Sequence, residues 1–246
     1  MFLCGGAPVL LSLYMLSKLR EPDRWVKASE GPAPPAPLRE IFRASYRRRT
    51  LVNAALVTIS IIGLWAGAVY EPSAIITLAK RSGHSAPEAA RLASFGTALL
   101  SIGTCLGCLA VPLLAERFGR RATLACFFVG MAICIWLSFG WAFYVSDGAL
   151  AIFIASLFPL GFFGGNFAIY SLWLPEQYST AVRATAFAFV TSFGRFVGAG
   201  VNFLIGAGVH SYGSVGVPVA ATALAFLIGL AVVPFGCETK GTRLPD

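Results

Sequence analysis

Arg195 is the side chain with the clearest chemical potential in this sequence. It lies about ten residues inside a long apolar segment, which corresponds to roughly 15 Å along an α-helix. A guanidinium this deep in a bilayer costs about 2.5–3.5 kcal/mol, so we expect Arg195 to face the helix bundle or water. There it could bind a solute carboxylate through two parallel hydrogen bonds. A structural or gating ion pair near the cytoplasmic mouth is the preferred interpretation of Arg195.

Glu71 is the second candidate, in a group of four residues that interrupts another apolar run together with Trp65, Tyr70 and Pro72. Pro72 has no backbone N–H, so we expect the helix to kink or break there. The Glu71 carboxyl could carry a proton, with Trp65 and Tyr70 contacting a solute. A solvated residue at the outer end of the helix is the preferred interpretation of Glu71.

Three further polar side chains, Asn166, Tyr170 and Asn202, lie within apolar segments. Their amide and hydroxyl groups could hydrogen-bond a solute. Polar side chains also hydrogen-bond across packed membrane helices, so a purely structural role stays open for each of them.

A compact charged turn separates two apolar segments, and two more charges flank the next such interruption. The turn contains Glu116, Arg117, Gly119, Arg120 and Arg121, and the second interruption contains Glu176 and Arg183. Charges so placed could form ion pairs between helices, or they could serve only to fix the topology of the chain in a membrane.

The elements that must position these residues are membrane helices. The 246 residues are 57% hydrophobic and 12% charged, with a mean hydropathy of +0.75, whereas a soluble domain carries about 25% charged residues. Backbone polar groups find no partners in lipid, so we predict an all-α integral membrane fold. Seven apolar segments are predicted to span: 1–17, 51–70 (running on to about 79), 92–115, 122–143, 149–173, 184–209 and 217–235.

The positive charges predict the orientation. Fifteen of the 19 Lys and Arg residues lie in loops 18–50, 116–121 and 174–183 and in the C-terminal tail. The positive-inside rule places these loops and the C-terminus in the cytoplasm and the N-terminus outside, as expected for a multi-pass protein of the inner or plasma membrane. The net charge of +8 therefore indicates a lipid surface as partner, and no nucleic acid.

The long loop 18–50 is predicted to contain a Pro-rich linker followed by an amphipathic helix. Leu38, Ile41, Phe42 and Tyr46 recur at helical spacing, with arginines on another face, which is typical of a helix lying on an anionic leaflet. A disordered basic stretch is the alternative. The C-terminal bundle would then cover 51–235 and the tail 236–246.

Other local patterns concern helix starts, packing and enzyme chemistry. Ser85 and Glu88 have capping-box spacing. Glycines four residues apart, Gly103 with Gly107 and Gly194 with Gly198, predict close helix contacts. The Cys105–Cys108 pair is interpreted as packing rather than metal or redox chemistry. The sequence contains no phosphate-binding glycine loop, H-E-x-x-H motif or nucleophile elbow, so we expect neither an enzyme nor a cofactor.

Four motifs in order along the chain resemble those of the major facilitator superfamily. Residues 114–121 resemble its G-x-x-x-D-R-x-G-R-R loop, with Glu116 replacing the usual Asp and without the first Gly. Residues 20–25 are similar to the P-E-S-P-R-W motif of sugar-porter-like members. Residues 174–185 resemble the P-E-x-F-P-T-x-x-R-A-T loop, and residues 238–241 the E-T-K-G tail.

This resemblance implies half of a twelve-span fold. The chain would contain a truncated span six (1–17), the central cytoplasmic loop and spans seven to twelve, and it would need the missing N-terminal half for a complete site, because solute sites of secondary transporters lie between such halves. The charged turn, Glu176 and Arg183 would form a cytoplasmic gate. The implied function is proton-coupled symport of a small organic acid. The alternatives are a sugar or polyol porter, or a non-transporting membrane fragment or interaction partner.

Overall fold

A computed structural model of the protein describes residues 7–18, 37–242 and 245. The residue 20–25 motif therefore lies outside the described residues. Within the described ranges the secondary structure is helical, and we number the α-helices in chain order. They are α1 Ala7–Lys18, α2 Pro37–Glu40, α3 Arg47–Arg81, α4 Ala86–Phe118, α5 Arg120–Ile135, α6 Ala149–Gly164, α7 Ile169–Trp173, α8 Thr180–Tyr212, α9 Gly216–Ala220 and α10 Ala223–Val232.

Short π or 3₁₀ segments join several of these helices into longer spans. Trp136–Trp141 and Ala142–Tyr144 extend α5, Gly165–Ala168 and Pro175–Gln177 flank α7, and Val233–Phe235 ends α10. Six continuous helical stretches are long and apolar enough to cross a membrane: Arg47–Arg81, Ala86–Phe118, Arg120–Tyr144, Ala149–Gln177, Thr180–Tyr212 and Gly216–Phe235. They correspond to the last six predicted spans, which confirms the predicted all-α membrane fold.

The first predicted span is represented by α1. This helix has 12 described residues, fewer than the roughly 20 needed to cross a bilayer core. Its large apolar side chains, including Leu11, Leu13 and Leu16, are exposed. The assignment of residues 1–17 to a truncated span, like the other domain boundaries, stays a prediction.

Close backbone contacts hold α4 against α6. A Cβ atom on Gly103 would lie 2.2 Å from the Phe158 carbonyl oxygen, and one on Gly107 would lie 2.0 Å from the Phe162 carbonyl oxygen. These two positions therefore require glycine, as the small-residue spacing predicts. The second glycine pair packs in the same way, because a Cβ on Gly198 would lie 2.6 Å from the Ile61 side chain of α3.

Two local sequence signals, the capping box and Pro72, can be compared with the helices of the structure. The capping box is present, since the Ser85 backbone N–H donates to Glu88 Oε2 at 2.9 Å where α4 begins. Of the kink or break predicted at Pro72, the break is absent, because α3 continues through Pro72 for 35 residues; a kink stays a prediction. Packing against α4, α8 and α10 supplies the stability that outweighs one lost backbone hydrogen bond.

The predicted amphipathic helix of the central loop is wrong in extent. Only Pro37–Glu40 is helical, and residues 41–46 form turns. Ile41 is fully buried and its carbonyl accepts the Thr50 hydroxyl at 2.8 Å, while the Phe42 ring contacts Phe189 with centroids 5.0 Å apart. The apolar residues thus contact the bundle itself, which breaks the regular helix that their spacing predicts.

The loops that carry most of the positive charge meet at one end of the bundle. Arg49 donates to the Gln177 carbonyl at 3.0 Å, and the Trp173 indole donates to the Cys237 carbonyl at 2.7 Å. Lys240 of the tail donates to the Arg117 carbonyl at 2.8 Å. These contacts agree with the prediction that the positively charged loops and the tail lie on the same side of the membrane. The assignment of this side to the cytoplasm stays a prediction.

Candidate functional site

An open groove between α3 and α8 brings together three of the predicted solute-contacting residues. It has a volume of about 510 Å³ and is lined by Trp65, Tyr70, Ala199, Asn202, Phe203, Gly206 and Ala207. The α8 residues recur at intervals of three and four, so they form one face of the helix. Three aromatic residues and one amide therefore share a surface with small residues that leave space for a ligand.

The polar groups of this groove have unequal partners. The Tyr70 hydroxyl donates to the Asn202 backbone carbonyl at 3.1 Å and so joins α3 to α8. The buried Oδ1 of Asn202 has no hydrogen-bond partner among the described residues. Buried polar atoms are usually paired, but this oxygen is hidden from solvent, so a bound molecule could reach it only after the helices around it move.

Arg195 lies on the same face of α8 as Asn202. The two residues are seven positions apart, which corresponds to about two helical turns and roughly 10 Å along the axis. Arg195 is exposed, and it forms no ion pair with any residue that the structure describes. The ion pair that was the preferred interpretation of Arg195 is therefore absent within the described part of the chain.

Glu71 lies on another side of α3, against α4. Its side chain is fully buried, so the preferred interpretation of a solvated residue at the helix end is wrong. The Thr97 hydroxyl lies 3.0 Å from Glu71 Oε2 and 3.4 Å from Oε1. Because α3 continues past Pro72, Glu71 lies inside the helix bundle rather than beyond it.

Asn166 and Tyr170 lie elsewhere in the bundle and are not part of the groove. The fully buried Tyr170 hydroxyl lies 2.8 Å from the Ser60 hydroxyl and thereby links α7 to α3. The Asn166 amide donates to the Phe163 carbonyl at 2.8 Å, within the segment that connects α6 to α7. The Asn166 Oδ1 atom is buried without a partner among the described residues.

A second cluster joins the charged turn to the segment after α7. The Arg120 side chain is 4% exposed and donates twice to Glu176, at 3.0 and 2.7 Å. It also donates to Glu116 at 2.8 Å and to the Ala115 carbonyl at 3.2 Å. A planar guanidinium matches this two-point contact with a carboxylate. Three of the predicted gate residues thus form one ion-pair network.

Glu238 completes this cluster from the C-terminal tail. Its carboxylate accepts four backbone N–H groups, from Arg120, Arg121, Thr239 and Lys240, at 3.0 to 3.1 Å. Partial burial raises the pKa of Glu238, but these backbone N–H groups lower it more, so the net pKa lies below its usual value. The Thr239 hydroxyl donates to Glu176. The tail is therefore anchored on the charged turn.

Gly119 makes the approach of Glu238 to the charged turn possible. Its φ is +91° and its ψ is 162°, a combination that is essentially restricted to glycine. A Cβ at this position would lie 2.8 Å from Glu238 Oε2. Gly119 therefore provides both the backbone geometry and the space for the carboxylate.

The other predicted gate residues contribute less directly. Arg183 donates to the Pro175 carbonyl at 2.9 Å and to the Pro245 carbonyl at 2.9 Å, which braces the neighbouring loop and tail. Arg117 and Arg121 form no side-chain ion pair with a described residue. The guanidinium carbon of Arg117 lies over the Phe118 ring, 5.3 Å from its centroid.

Sequence reasoning missed a buried polar network beside this cluster. The Asn53 amide donates to Gln177 Oε1 at 3.0 Å and to the Tyr178 hydroxyl at 3.3 Å, and Tyr178 donates to Thr50. Asn53 within an apolar helix was the available signal. Thr97 gave no signal, because its role depends on the packing of α4 against Glu71.

Among the described residues, no group of three or more His, Cys, Asp or Glu side chains is placed to hold a metal ion.

Comparisons with known proteins agree with this architecture. The chain is 27% identical over 212 residues to the "Probable 4-methylmuconolactone transporter" of Cupriavidus pinatubonensis, an alignment covering 85% of this chain and 46% of that protein. It is 24% identical over 207 residues to the "Inner membrane metabolite transport protein YdjE" of Escherichia coli, covering 84% and 43%. The chain thus spans less than half the length of these relatives.

A solved structure shares the fold. The crystal structure of a D-xylose-proton symporter matches with a TM-score of 0.58 at 18% identity, over 77% of this chain and 48% of that one. Residues 27–246 match the family described as "Sugar (and other) transporter", a family of transporters rather than enzymes. With six apolar spans and this match over most of its length, the chain is a multi-pass membrane protein that belongs to the Sugar (and other) transporter family of the major facilitator superfamily.

Proposed function

We propose that this chain is one half of a secondary active transporter that moves a small organic solute across the membrane by alternating access. The groove between α3 and α8 is its contribution to the solute site, and the other half completes that site. The observation that carries this proposal is the groove itself, which is lined by Trp65, Tyr70 and Asn202. Solute sites of secondary transporters lie at the interface between their two halves.

We infer that the solute is a small organic acid. Arg195 supplies an exposed, unneutralised cation on the groove face of α8, and a guanidinium recognises a carboxylate through two parallel hydrogen bonds. A sugar or polyol is the second candidate, because the matching family is described as "Sugar (and other) transporter" and the groove is lined by Asn202, whose amide group can hydrogen-bond hydroxyl groups.

The ion-pair cluster has a separate proposed role as a gate on the cytoplasmic side. Arg120, Glu176 and Glu238 connect the charged turn, the segment after α7 and the tail through contacts that must all break if these elements separate. Alternating access requires two arrangements of similar energy. The cluster would stabilise the arrangement in which its own side of the membrane is closed, with this end and the C-terminus in the cytoplasm.

Uptake by the full-length protein in liposomes tests the function. A panel of small carboxylic acids, their amides and several sugars would be offered with and without an inward proton gradient, because we propose proton coupling. We expect saturable uptake of acids that the gradient accelerates. Gradient-independent uptake would contradict proton coupling. The absence of uptake of every solute would favour the alternative of a non-transporting membrane half.

Substitutions in the groove test the site. Loss of one hydrogen-bonded charge contact is worth about 1.5–3 kcal/mol, so Arg195→Ala should weaken acid uptake by roughly 10- to 100-fold in kcat/KM. Ser211→Ala is the matched control, because Ser211 is exposed on the same helix and hydrogen-bonds only the carbonyl of Ala207. Unchanged kinetics in Arg195→Ala would return this residue to a structural role. Asn202→Ala should affect acids and sugars alike.

A further inference from the structure

Glu71 is a buried carboxyl group without a cationic partner. Its side chain is fully buried, and no described Lys, Arg or His lies within ion-pair distance of it. An ionised carboxylate buried without a partner is so unfavourable that such a group takes up a proton instead. The surroundings of Glu71 therefore favour the neutral carboxylic acid.

The hydrogen-bond geometry around Thr97 supports the same assignment. The Thr97 hydroxyl oxygen lies 3.0 Å from Glu71 Oε2 and 3.0 Å from the Ala93 carbonyl oxygen. A hydroxyl has a single hydrogen to donate, and the Ala93 carbonyl and an ionised carboxylate would both need it. The Ala93 carbonyl also accepts the Thr97 backbone N–H of the helix. If Glu71 is protonated, its O–H donates to Thr97 and the Thr97 O–H donates to Ala93, so the geometry accommodates the neutral acid with both short contacts satisfied.

The charged groups of α3, α4 and α6 lie several residues from Glu71 along their helices, and on α8 His210 lies about one turn beyond Gly206, which is level with Tyr70. On α4, Arg91 lies six residues before Thr97, which is about 9 Å along the helix, and Glu88 lies further away. On α6, Leu157 lies beside Gly96, as does the Glu71 carboxyl. Residues 149–164 of α6 contain no titratable side chain. On α3 itself the nearest cations, Lys80 and Arg81, follow by nine and ten residues, or roughly 14 Å.

The position of Glu71 links this carboxyl to the groove. Tyr70, the preceding residue, points to the other side of α3 and donates to the Asn202 carbonyl of α8. The following residue, Pro72, has no N–H, so the Ala68 carbonyl lacks its usual helical partner and α3 is weakened at this level. A displacement of α3 here would therefore change the α3–α4 contact at Glu71 and the groove at Tyr70 together.

We propose that Glu71 is the proton-carrying residue of this transporter half and that its protonation locks α3 against α4; this inference rests on the proposed transport function. When α3 and α4 are packed, the carboxyl is neutral and donates to Thr97. When they separate and water enters, the Glu71 O–H bond breaks, the proton passes to water and a carboxylate remains. Repacking requires a proton from water on the side to which the residue is then open.

Infrared difference spectroscopy of the purified full-length protein tests the protonation state of the Glu71 carboxyl and requires no transport assay. The wild type should show the C=O stretch of a protonated carboxyl at neutral pH. Glu71→Gln should lack this band, and Thr97→Val should shift it by removing the hydrogen-bond acceptor. Retention of the band in Glu71→Gln, or its absence from the wild type, would overturn the proposal. This result does not depend on whether a solute is identified.

Transport assays test the coupling. With the membrane potential clamped at zero, one coupled proton allows up to about tenfold solute accumulation per pH unit. Glu71→Gln should lose this accumulation and reach an inside-to-outside ratio of about one, yet retain exchange of internal for external solute. Thr58→Val is the matched control, because Thr58 is a nearly buried α3 residue that bonds only its own helix. Full accumulation by a folded Glu71→Gln protein would refute the proton-carrying role.

A variant that loses both activities is resolved by a third protein. Glu71→Asp keeps the titratable group, so it should restore gradient-driven accumulation at least in part if the proton is carried here. If Glu71→Asp also loses both accumulation and exchange while both proteins elute as monodisperse species, Glu71 is a structural residue. If the wild type transports nothing, the proposed function fails, whereas the infrared result still decides the state of Glu71.

Discussion

The ion-pair cluster predicts unequal effects for two similar substitutions. Arg120 is 4% exposed and donates two hydrogen bonds to Glu176, which is 15% exposed, but only one to Glu116, which is 66% exposed. Breaking a buried pair from one side costs about 3–5 kcal/mol because a buried charge is left behind. An exposed i,i+4 pair on a helix contributes only about 0.3–0.5 kcal/mol.

We therefore expect Glu176→Gln to lower the free energy of unfolding by about 3 kcal/mol, at the lower end of that range because Glu116 still faces Arg120. Glu116→Gln should lower it by no more than about 0.5 kcal/mol. Equilibrium unfolding of the full-length protein in mixed detergent micelles, followed by circular dichroism, measures both values. Equal losses in the two variants, or a loss below about 1 kcal/mol for Glu176→Gln, would refute the assignment of Glu176 as the principal partner of Arg120.

Three further predictions concern the tail and the helix packing. Gly119→Ala should lower the free energy of unfolding by about 1–3 kcal/mol, because the backbone geometry of this residue is restricted to glycine. Proteolysis of the C-terminal tail should accelerate in parallel. An unchanged cleavage rate would contradict the role of Gly119 in anchoring the tail. The pKa of Glu238 is lowered in the folded protein. Its contribution to stability is therefore fully present above the usual carboxyl pKa and is lost as the pH falls through the lower folded pKa. Glu238→Gln should reduce this loss of unfolding free energy at acid pH. Gly103→Ala should destabilise the protein by about 1–3 kcal/mol through overpacking against the Phe158 carbonyl, whereas Gly200→Ala, with open space around it, should be nearly neutral in the same unfolding assay.

The sequence was sufficient to predict the membrane helices because their signal is local. Length and apolarity define each span, and the capping box at Ser85 and the glycine pairs on α4 and α8 depend on spacing along one helix. The amphipathic pattern of residues 38–46 failed for a different reason. The same spacing suits a helix on a lipid surface and a turn whose apolar residues insert into the bundle, and only the position of Phe189 and Thr50 decides between them.

The candidate site was less predictable, since it depends on which way each side chain faces. Tyr70 and Glu71 are adjacent in sequence, yet one lines the groove against α8 and the other is buried against α4. Tyr170 and Asn202 are both polar residues in apolar helices, but only Asn202 reaches the groove. Glu238 was recognised as part of a tail motif, whereas its contact with the charged turn depends on the fold of the whole bundle.

The outward surface of α8 has two stripes of residues that require different surroundings. Phe196 and Phe203, seven residues apart, are each 82% exposed, and such a stripe is compatible with lipid, although Phe203 also lines the edge of the groove. Arg195 and Asn202, each one position earlier, form the adjacent stripe, and neither a guanidinium nor an unpaired amide is compatible with hydrocarbon. The polar stripe must therefore face water or protein. An aqueous cavity between this half and a second one satisfies that requirement while leaving the Phe stripe at the edge of the interface, which is why we place the solute on the Asn202 side of α8.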